Sequence, residues 1–258
     1  MTQTLRLKNV TIGEGVPKIC VPMVGQTKAE LEQEAMALVQ AGADMAEWRA
    51  DFFEGIFAPG EVRETLEALI DKLGQIPMIF TIRTSEEGGN LQISTKDYVN
   101  INQNVSQLGL ADLIDVEAAR HTGEMRRLIA RIHQDGGKVI ASSHNFSCTP
   151  ERKELLKILK TLDGAGGDIL KIAVTPSTLF DVWELLECTN EMTVEYTDKP
   201  VVTMSMGEKG SLSRFSGEIF GSAITFGVVG KASAPGQIPI EELRELMSMF
   251  HHEAEQKR

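Results

Sequence analysis

Short apolar runs of β-forming character alternate along the chain with longer segments whose apolar positions recur at three- and four-residue spacing. The first kind, at residues 18–24, 45–51, 77–83, 113–117, 138–144, 168–174, 200–206 and 223–228, predicts eight strands. The second, at 27–41, 61–73, 96–108, 122–134, 150–162, 178–191, 208–215 and 239–251, predicts amphipathic helices between and after them. Local signals agree, since Thr149-Pro150 and Ser177-Thr178 offer helix starts and Gly42, Gly74 and Gly136 follow helix ends. Strict strand–helix alternation builds a parallel sheet, closed or doubly wound. Eight repeats favour closure, an α/β fold of the (β/α)8 TIM barrel kind. Ahead of the first strand, Leu5/Leu7 and Val10/Ile12 alternate about Lys8-Asn9, which predicts a β-hairpin over residues 5–15 closing the amino-terminal bottom of the barrel. No low-complexity linker interrupts the pattern, so residues 1–258 are expected to form a single catalytic barrel domain.

Composition narrows the function classes. The 258 residues fit the roughly 250 of such a barrel folding as one unit. With 42% apolar and 24% charged residues the chain can bury a large core, unlike disordered or fibrous chains. No run approaches the roughly 18 apolar residues of a membrane span, and residues 1–8 show no basic start followed by an apolar run. No membrane partner and a cytoplasmic location are therefore expected, and the scattered Cys20, Cys148 and Cys188 suit a reducing compartment. The 37 acidic against 26 basic residues give a net charge of −11, which argues against nucleic acid as partner. It also makes each pocket cation informative, because an anionic substrate would have to be held against the repulsion of the whole.

In a barrel, polar residues at the carboxyl ends of strands are candidates for chemistry. By the two-residue period Glu47, Arg49 and Asp51 are expected to share one face of the second strand, as a salt-bridge layer or a cluster that recognises hydroxyls. Arg83 ends the third strand and runs into residues 84–89, where Gly88-Gly89 lets a carboxylate fold back over the mouth. His144 ends the fifth strand beside small polar neighbours. Lys171 lies inside the apolar run of the sixth, where an ammonium is rarely buried. Either it is paired with an inward carboxylate, Asp115 or Glu117, or desolvation and a nearby positive charge free a neutral amine that attacks carbonyls and forms a Schiff base. Met204 and Met206 end the seventh strand as core or as an adaptable apolar wall. Arg214, in the following helix, is either solvated or clasps a carboxylate through two parallel hydrogen bonds. Ser233 and Gln237 bracket a Pro-Gly loop after the eighth strand that is an ordinary connection or a lid.

Taken in order, these segments resemble the type I 3-dehydroquinate dehydratase family, the imine-forming dehydratases of the shikimate pathway. The likeness runs from Ile19-Cys20 to Gln237 and rests on Glu47-Trp48-Arg49-Ala50-Asp51, Thr81-Ile82-Arg83 with Glu87-Gly88-Gly89, Ser142-Ser143-His144-Asn145-Phe146, Lys171-Ile172-Ala173-Val174, Ser205-Met206-Gly207 with Ser213-Arg214, and Ser233-Ala234-Pro235-Gly236-Gln237. It implies that Lys171 forms the imine, that His144 is the general acid/base, and that Glu87 orients or tunes that histidine. Glu86 is the alternative partner, and Glu87 is preferred because it immediately precedes the glycine pair. Glu47, Arg49, Arg83, Met204, Met206, Arg214, Phe226, Ser233 and Gln237 fall at substrate contacts by the same resemblance. Val21-Pro22 departs from the small polar residue expected near the end of the first strand. The implied activity is conversion of 3-dehydroquinate to 3-dehydroshikimate plus water in aromatic amino-acid biosynthesis, by a homodimer with no cofactor and no metal.

The chemistry explains why these residue types occur together. Losing a hydroxyl β to a ketone requires removing an α-proton, and a protonated imine withdraws electrons from that bond. Lysine supplies the sink, and an imidazole, titrating near neutrality, carries the proton. His121, His133, His251 and His252 show no ligand constellation, and no Walker loop or dinucleotide fingerprint occurs. The competing readings are another Schiff-base barrel, such as a class I aldolase, and a non-catalytic metabolite-binding barrel. A sugar-phosphate aldolase would be expected to carry a phosphate loop near strands seven and eight. The joint presence of Lys171, His144 and Glu87 disfavours a mere binding protein.

Overall fold

The structure, a computed structural model, describes residues 3–255, with side chains described as far as His251; His252 lies outside them. A hairpin of β1 (Leu5–Leu7) and β2 (Val10–Ile12) precedes eight parallel strands: β3 (Lys18–Met23), β4 (Met45–Arg49), β5 (Met78–Thr81), β6 (Leu113–Glu117), β7 (Val139–Asn145), β8 (Ile169–Val174), β9 (Val201–Ser205) and β10 (Ile224–Val228). Helices α1 (Lys28–Gln40), α2 (Pro59–Leu73), α3 (Thr95–Leu108), α4 (Thr122–Gln134), α5 (Arg152–Ala165) and α6 (Leu179–Glu191) connect them in turn. Two short helices, α7 (Leu212–Phe215) and α8 (Gly217–Phe220), join β9 to β10, and β11 (Ile238–Pro239) leads into α9 (Ile240–Glu255).

From β3 to β9 each strand pairs with the next, and β10 returns to pair with β3, which curls the sheet into a (β/α)8 barrel. Among the described residues β9 and β10 share no ladder and meet at the Val201–Ser222 bridge. At this seam the Thr203 N–H donates to Ser222 Oγ at 3.1 Å and the Ser205 N–H to Ser213 Oγ at 2.9 Å. Side-chain hydroxyls thus satisfy backbone donors that a partner strand would otherwise take.

Strand alternation stacks the interior in layers. Met45, Ile79, Leu113, Ile140 and Ile169 form an apolar floor, joined by Leu7 and Ile12 of the hairpin, which closes this end. Two residues further along each strand the same face carries Glu47, Thr81, Asp115, Ser142 and Lys171. The outward residues, among them Trp48, Phe80, Val116 and Leu170, pack under the helices in a second and larger core. Burying each such side chain contributes about 1.5–3 kcal/mol, which lets the fold carry a charged layer inside the barrel.

Several boundaries differ from the sequence pattern for local reasons. The strand predicted over 45–51 stops at Arg49, because Ala50–Phe52 tighten into a 3-10 turn and carry Asp51 off the strand face. The single helix predicted over 208–215 is a 3-10 turn at Glu208–Gly210 followed by α7 and α8, since the backbone at Gly210 packs against Ser205, where a Cβ would meet the carbonyl oxygen at 2.0 Å. Thr149 does not cap α5, which starts after Glu151; its hydroxyl donates instead to the Thr175 carbonyl at 3.1 Å. Thr178 does cap α6, in a reciprocal box with Asp181.

Candidate active site

Lys171 projects from β8 into the charged layer with 3% of its surface exposed. Its Nζ lies 3.2 Å from Asp115 Oδ2, 3.4 Å from Glu47 Oε1 and 4.5 Å from the centre of the Phe226 ring. The ammonium therefore rests against two carboxylates and a ring face; of the two partners weighed from sequence, Asp115 meets it, while Glu117 turns to Arg83. The other Asp115 oxygen accepts from Ser142 Oγ at 2.6 Å and Arg83 Nη2 at 2.8 Å. Burial alone would raise the Asp115 carboxyl, but Arg83, Lys171 and the Ser142 hydroxyl outweigh it and hold it below the usual carboxylate range. Glu47 also accepts from Thr81 Oγ1 at 2.9 Å.

Arg83 continues the inward phase of β5 two residues past its end. Its Nη1 donates to Glu117 Oε1 at 2.9 Å and Ser142 Oγ at 3.2 Å, and stands 3.5 Å from Glu87 Oε2. Burial is more than offset by Asp115, Glu117 and Glu87, so its proton is held more firmly than in a free guanidinium. Arg49 is clasped by Asp51 through paired contacts of 2.7 and 2.8 Å, and Asp51 also accepts from the backbone N–H groups of Arg83 and Asn90. The 3-10 turn that removes Asp51 from the strand thus makes it the holder of Arg49.

The loop after β5 delivers Glu87 to His144. A Cβ on Gly88 would strike the Phe146 ring at 2.3 Å and one on Gly89 the Arg83 carbonyl at 1.9 Å; with Gly88 at φ 78°, only glycines allow this close return. Glu87 Oε2 accepts the His144 backbone N–H at 2.9 Å and lies 3.0 Å from Nδ1. Glu86 points outward and pairs with Arg120 at 2.9 Å. Burial, then the Glu117 charge, push Glu87 up to about 8 against the pull of Arg83. Burial, then the charges of Arg83, Lys171 and Arg49, hold His144 well below the usual imidazole range. Both shifts disfavour separated charges, so the imidazole is neutral near pH 7. With Nδ1 facing Glu87, its Nε2 is left for a substrate.

Arg214 enters at the β9–β10 seam with 2% of its surface exposed. Its guanidinium donates to the carbonyls of Phe226 at 3.3 Å and Pro235 at 2.9 Å, while Nε is buried with no protein partner. Among the described residues no carboxylate lies within salt-bridge distance of it, and burial lowers it to about 10, still charged at neutral pH. The Pro235 carbonyl also accepts the Gly207 N–H, and the Ser233 N–H donates to Gln237 Oε1 at 2.8 Å, so the loop is folded upon itself against the end of β9.

Lys171, His144, Glu47, Arg49, Arg83, Met204, Met206, Arg214, Phe226, Ser233 and Gln237 line one cavity. Glu87 stands behind His144. Pro22 occupies the strand position beside Glu47. Sequence reasoning quoted Ser142, Thr81 and Phe146 within motifs but gave them no role, though the last also lies in the cavity wall; the inward phase of Ser142 between Ile140 and His144 was the available signal. Among the described residues no group of His, Cys, Asp and Glu is arranged to hold a metal ion, and no helix is long and apolar enough to cross a membrane. His133 bonds Asp168 and His251 bonds Glu218.

Comparison with known proteins gives a consistent result. A family profile described as type I 3-dehydroquinase matches residues 19–254. A 3-dehydroquinate dehydratase of Bacillus licheniformis is 43% identical over 251 residues, 97% of this chain and 99% of the relative. One from Clostridioides difficile is 44% identical over 251 residues, covering 97% of this chain and 98% of the relative. The crystal structure of the type I enzyme from Clostridium difficile, solved with covalently modified comenic acid, superposes with a TM-score of 0.94 at 43% identity, over 98% of this chain and all (100%) of that one. The Geobacillus kaustophilus 3-dehydroquinate dehydratase structure gives 0.93 at 34% identity, covering 97% of each chain.

Proposed function

The chain belongs to the type I 3-dehydroquinase family, and from that premise we propose that it converts 3-dehydroquinate to 3-dehydroshikimate and water through an imine on Lys171. Membership makes it a carbon–oxygen hydro-lyase. The observation that carries the imine reading is a buried lysine on a barrel strand facing the same cavity as a neutral histidine.

His144 takes a proton from the Lys171 ammonium as the amine adds to the ketone carbon and returns it to the hydroxyl that departs as water, leaving a protonated C=N bond whose positive charge falls beside Asp115 and Glu47. His144 takes the α-proton, and the electrons of that C–H bond move into the imine to give an enamine. As they return, the β-hydroxyl leaves with the proton that His144 gives back. Addition of water to the conjugated imine then releases the product and restores the lysine. One water is lost and one regained at nitrogen, so the net change is loss of one water from the substrate.

The anionic end of the substrate suits Arg214, the cavity cation with no carboxylate of its own. Glu47, Arg49 and Arg83 are assigned to its hydroxyls, Met204, Met206 and Phe226 to the ring faces, and Ser233 and Gln237 to the closing loop. We assign the reaction to the shikimate pathway in the cytoplasm and read residues 1–258 as one catalytic domain. A homodimer is the assembly we favour. Leu179, Phe180 and Trp183 of α6 and Ile219 of α8 stay exposed, with Trp183 edge-on to Phe220 at 6.4 Å, and such patches mark contact surfaces. Sedimentation of Phe180→Glu checks it, since an unchanged dimer would place the interface elsewhere. Turnover of 3-dehydroquinate, followed as the enone absorbance of the product, tests the activity. Turnover of an aldol substrate instead would overturn the reading.

A further inference from the structure

We infer that Glu117 is a positioning residue that fixes the Glu87–His144 pair and sets its protonation, an inference that rests on the dehydratase reading above. Glu117 ends β6 on its inward phase, yet Arg83 stands between it and the cavity, and it faces an outer cavity with Thr84, Tyr98 and Arg120 instead. It therefore acts on the substrate only through its neighbours.

Two links join it to the catalytic pair. The first is Arg83, whose Nη1 lies 2.9 Å from Glu117 Oε1 and 3.5 Å from Glu87 Oε2, one nitrogen between two carboxylates. Glu117 takes the short contact and two more, from the Thr84 N–H at 2.8 Å and the Thr84 hydroxyl at 2.7 Å. Glu87 is left the long contact to the cation and the repulsion of its more fully hydrogen-bonded neighbour, which favours its protonated form. The second link is mechanical. Thr84, held twice by Glu117, opens the loop that carries Glu87, and the Glu87 N–H donates to the Thr84 carbonyl at 3.0 Å. From the other side Tyr98 Oη accepts the Glu117 N–H at 3.0 Å and so fixes this end of β6.

Strands β4 to β8 contribute charge to this cluster: Glu47 and Arg49 on β4 with Asp51 after it, Arg83 after β5, Asp115 and Glu117 on β6, His144 on β7, Lys171 on β8, with Tyr98 behind and the Glu86–Arg120 pair outside. Asp115 is spent on Lys171 and Ser142 as well as Arg83. Glu117 is the carboxylate that shares a single guanidinium nitrogen with Glu87.

The test is titration of the His144 imidazole by NMR in the resting enzyme, with kcat and KM measured across pH. Glu117→Gln removes the repulsion and frees Arg83 for Glu87, so the pair should titrate lower by about one pH unit. The matching limb of the kcat profile should move the same way, with KM changed less than kcat. Glu117→Asp, which keeps the charge, should titrate closer to the parent. Thr84→Val removes one donor from Glu117 and leaves every ion in place; it should draw Arg83 closer to Glu117 and move the pair to higher pH, the opposite direction. That variant keeps the inference testable if Glu117→Gln fails to fold. Titration unmoved in whichever of Glu117→Gln and Thr84→Val folds, or an Asp shift as large as that of Gln, would overturn it. Because the titration needs no substrate, failure of the parent to dehydrate 3-dehydroquinate would sink the functional reading separately.

Discussion

Lys171 Nζ lies 3.2 Å from Asp115 Oδ2, and Asp115 is held on its other oxygen by Arg83 and Ser142. The counterion is thus anchored independently of the lysine. Lys171→Ala should therefore leave a folded barrel, less stable by about 3–5 kcal/mol because Glu47 loses its cation, with no measurable turnover. Borohydride added with substrate to the parent should give a mass increase confined to the peptide containing Lys171. A label on another lysine, or activity in the variant, would falsify the imine assignment.

His144→Ala removes the proposed proton carrier but leaves Lys171 and its counterions in place. Imine formation should persist slowly while α-proton removal nearly stops, a loss of about 10²–10⁴-fold in that step. Mass spectrometry during turnover should then find a substrate-derived adduct accumulating. Rapid product release without an adduct would assign the proton transfer to another group.

The architecture could be read from the sequence because strand and helix periods differ and repeat eight times. The two-residue period also put Glu47 and Arg49 on one face without knowledge of their neighbours. What it did not contain was height. Whether Lys171 would meet Asp115 or Glu117 depends on the shear between β6 and β8 across β7, which barrel closure fixes. The same limit hid the turning of Arg83 toward Glu117 and Asp115. Asp51 was read as part of the strand, which instead ends at Arg49, and nothing in the local pattern marks that end; its pairing with Arg49 nevertheless forms. For Arg214 the sequence allowed solvent or pocket, and the seam between β9 and β10, a long-range feature, decided its burial.

Glu87 makes stability depend on pH. Its carboxyl is raised to about 8 in the fold, against roughly 4.3 in an unfolded chain. The stabilisation from its protonated form is complete below the unfolded value and is lost as pH rises through about 8. His144, depressed in the fold, acts oppositely, but its contribution is complete above roughly 6.5 and fades only below it. Between pH 6.5 and 8 the Glu87 term acts alone of the two, so parent stability should fall by on the order of 1–2 kcal/mol, and Glu87→Gln should remove most of that fall. Urea unfolding midpoints at the two pH values decide it; equal slopes for parent and variant would show that Glu87 is ionised throughout.

Arg214 and the loop around Ser233 and Gln237 are expected to hold the substrate carboxylate and close over the ring. The chain carries −11, so an anion needs a local cation, and Arg214 is buried, charged and without a carboxylate partner among the described residues. Its Nε has no protein acceptor, while its Nη2 holds the Pro235 carbonyl of the loop at 2.9 Å. One side chain is thus placed to address both the proposed ligand and the loop. Arg214→Ala should raise KM by roughly ten- to a hundred-fold, the loss of a charge-assisted contact of about 1.5–3 kcal/mol. Gln237→Ala should act in the same direction but less, because a neutral donor is weaker and its present bonds, to Ser233, lie within the loop. Substrate or product should protect the loop from protease in the parent, and Arg214→Ala should abolish that protection. Two variants that bind and turn over like the parent, with the loop cut equally in the presence and absence of ligand, would remove clamp and lid together while leaving the chemistry at Lys171 untouched.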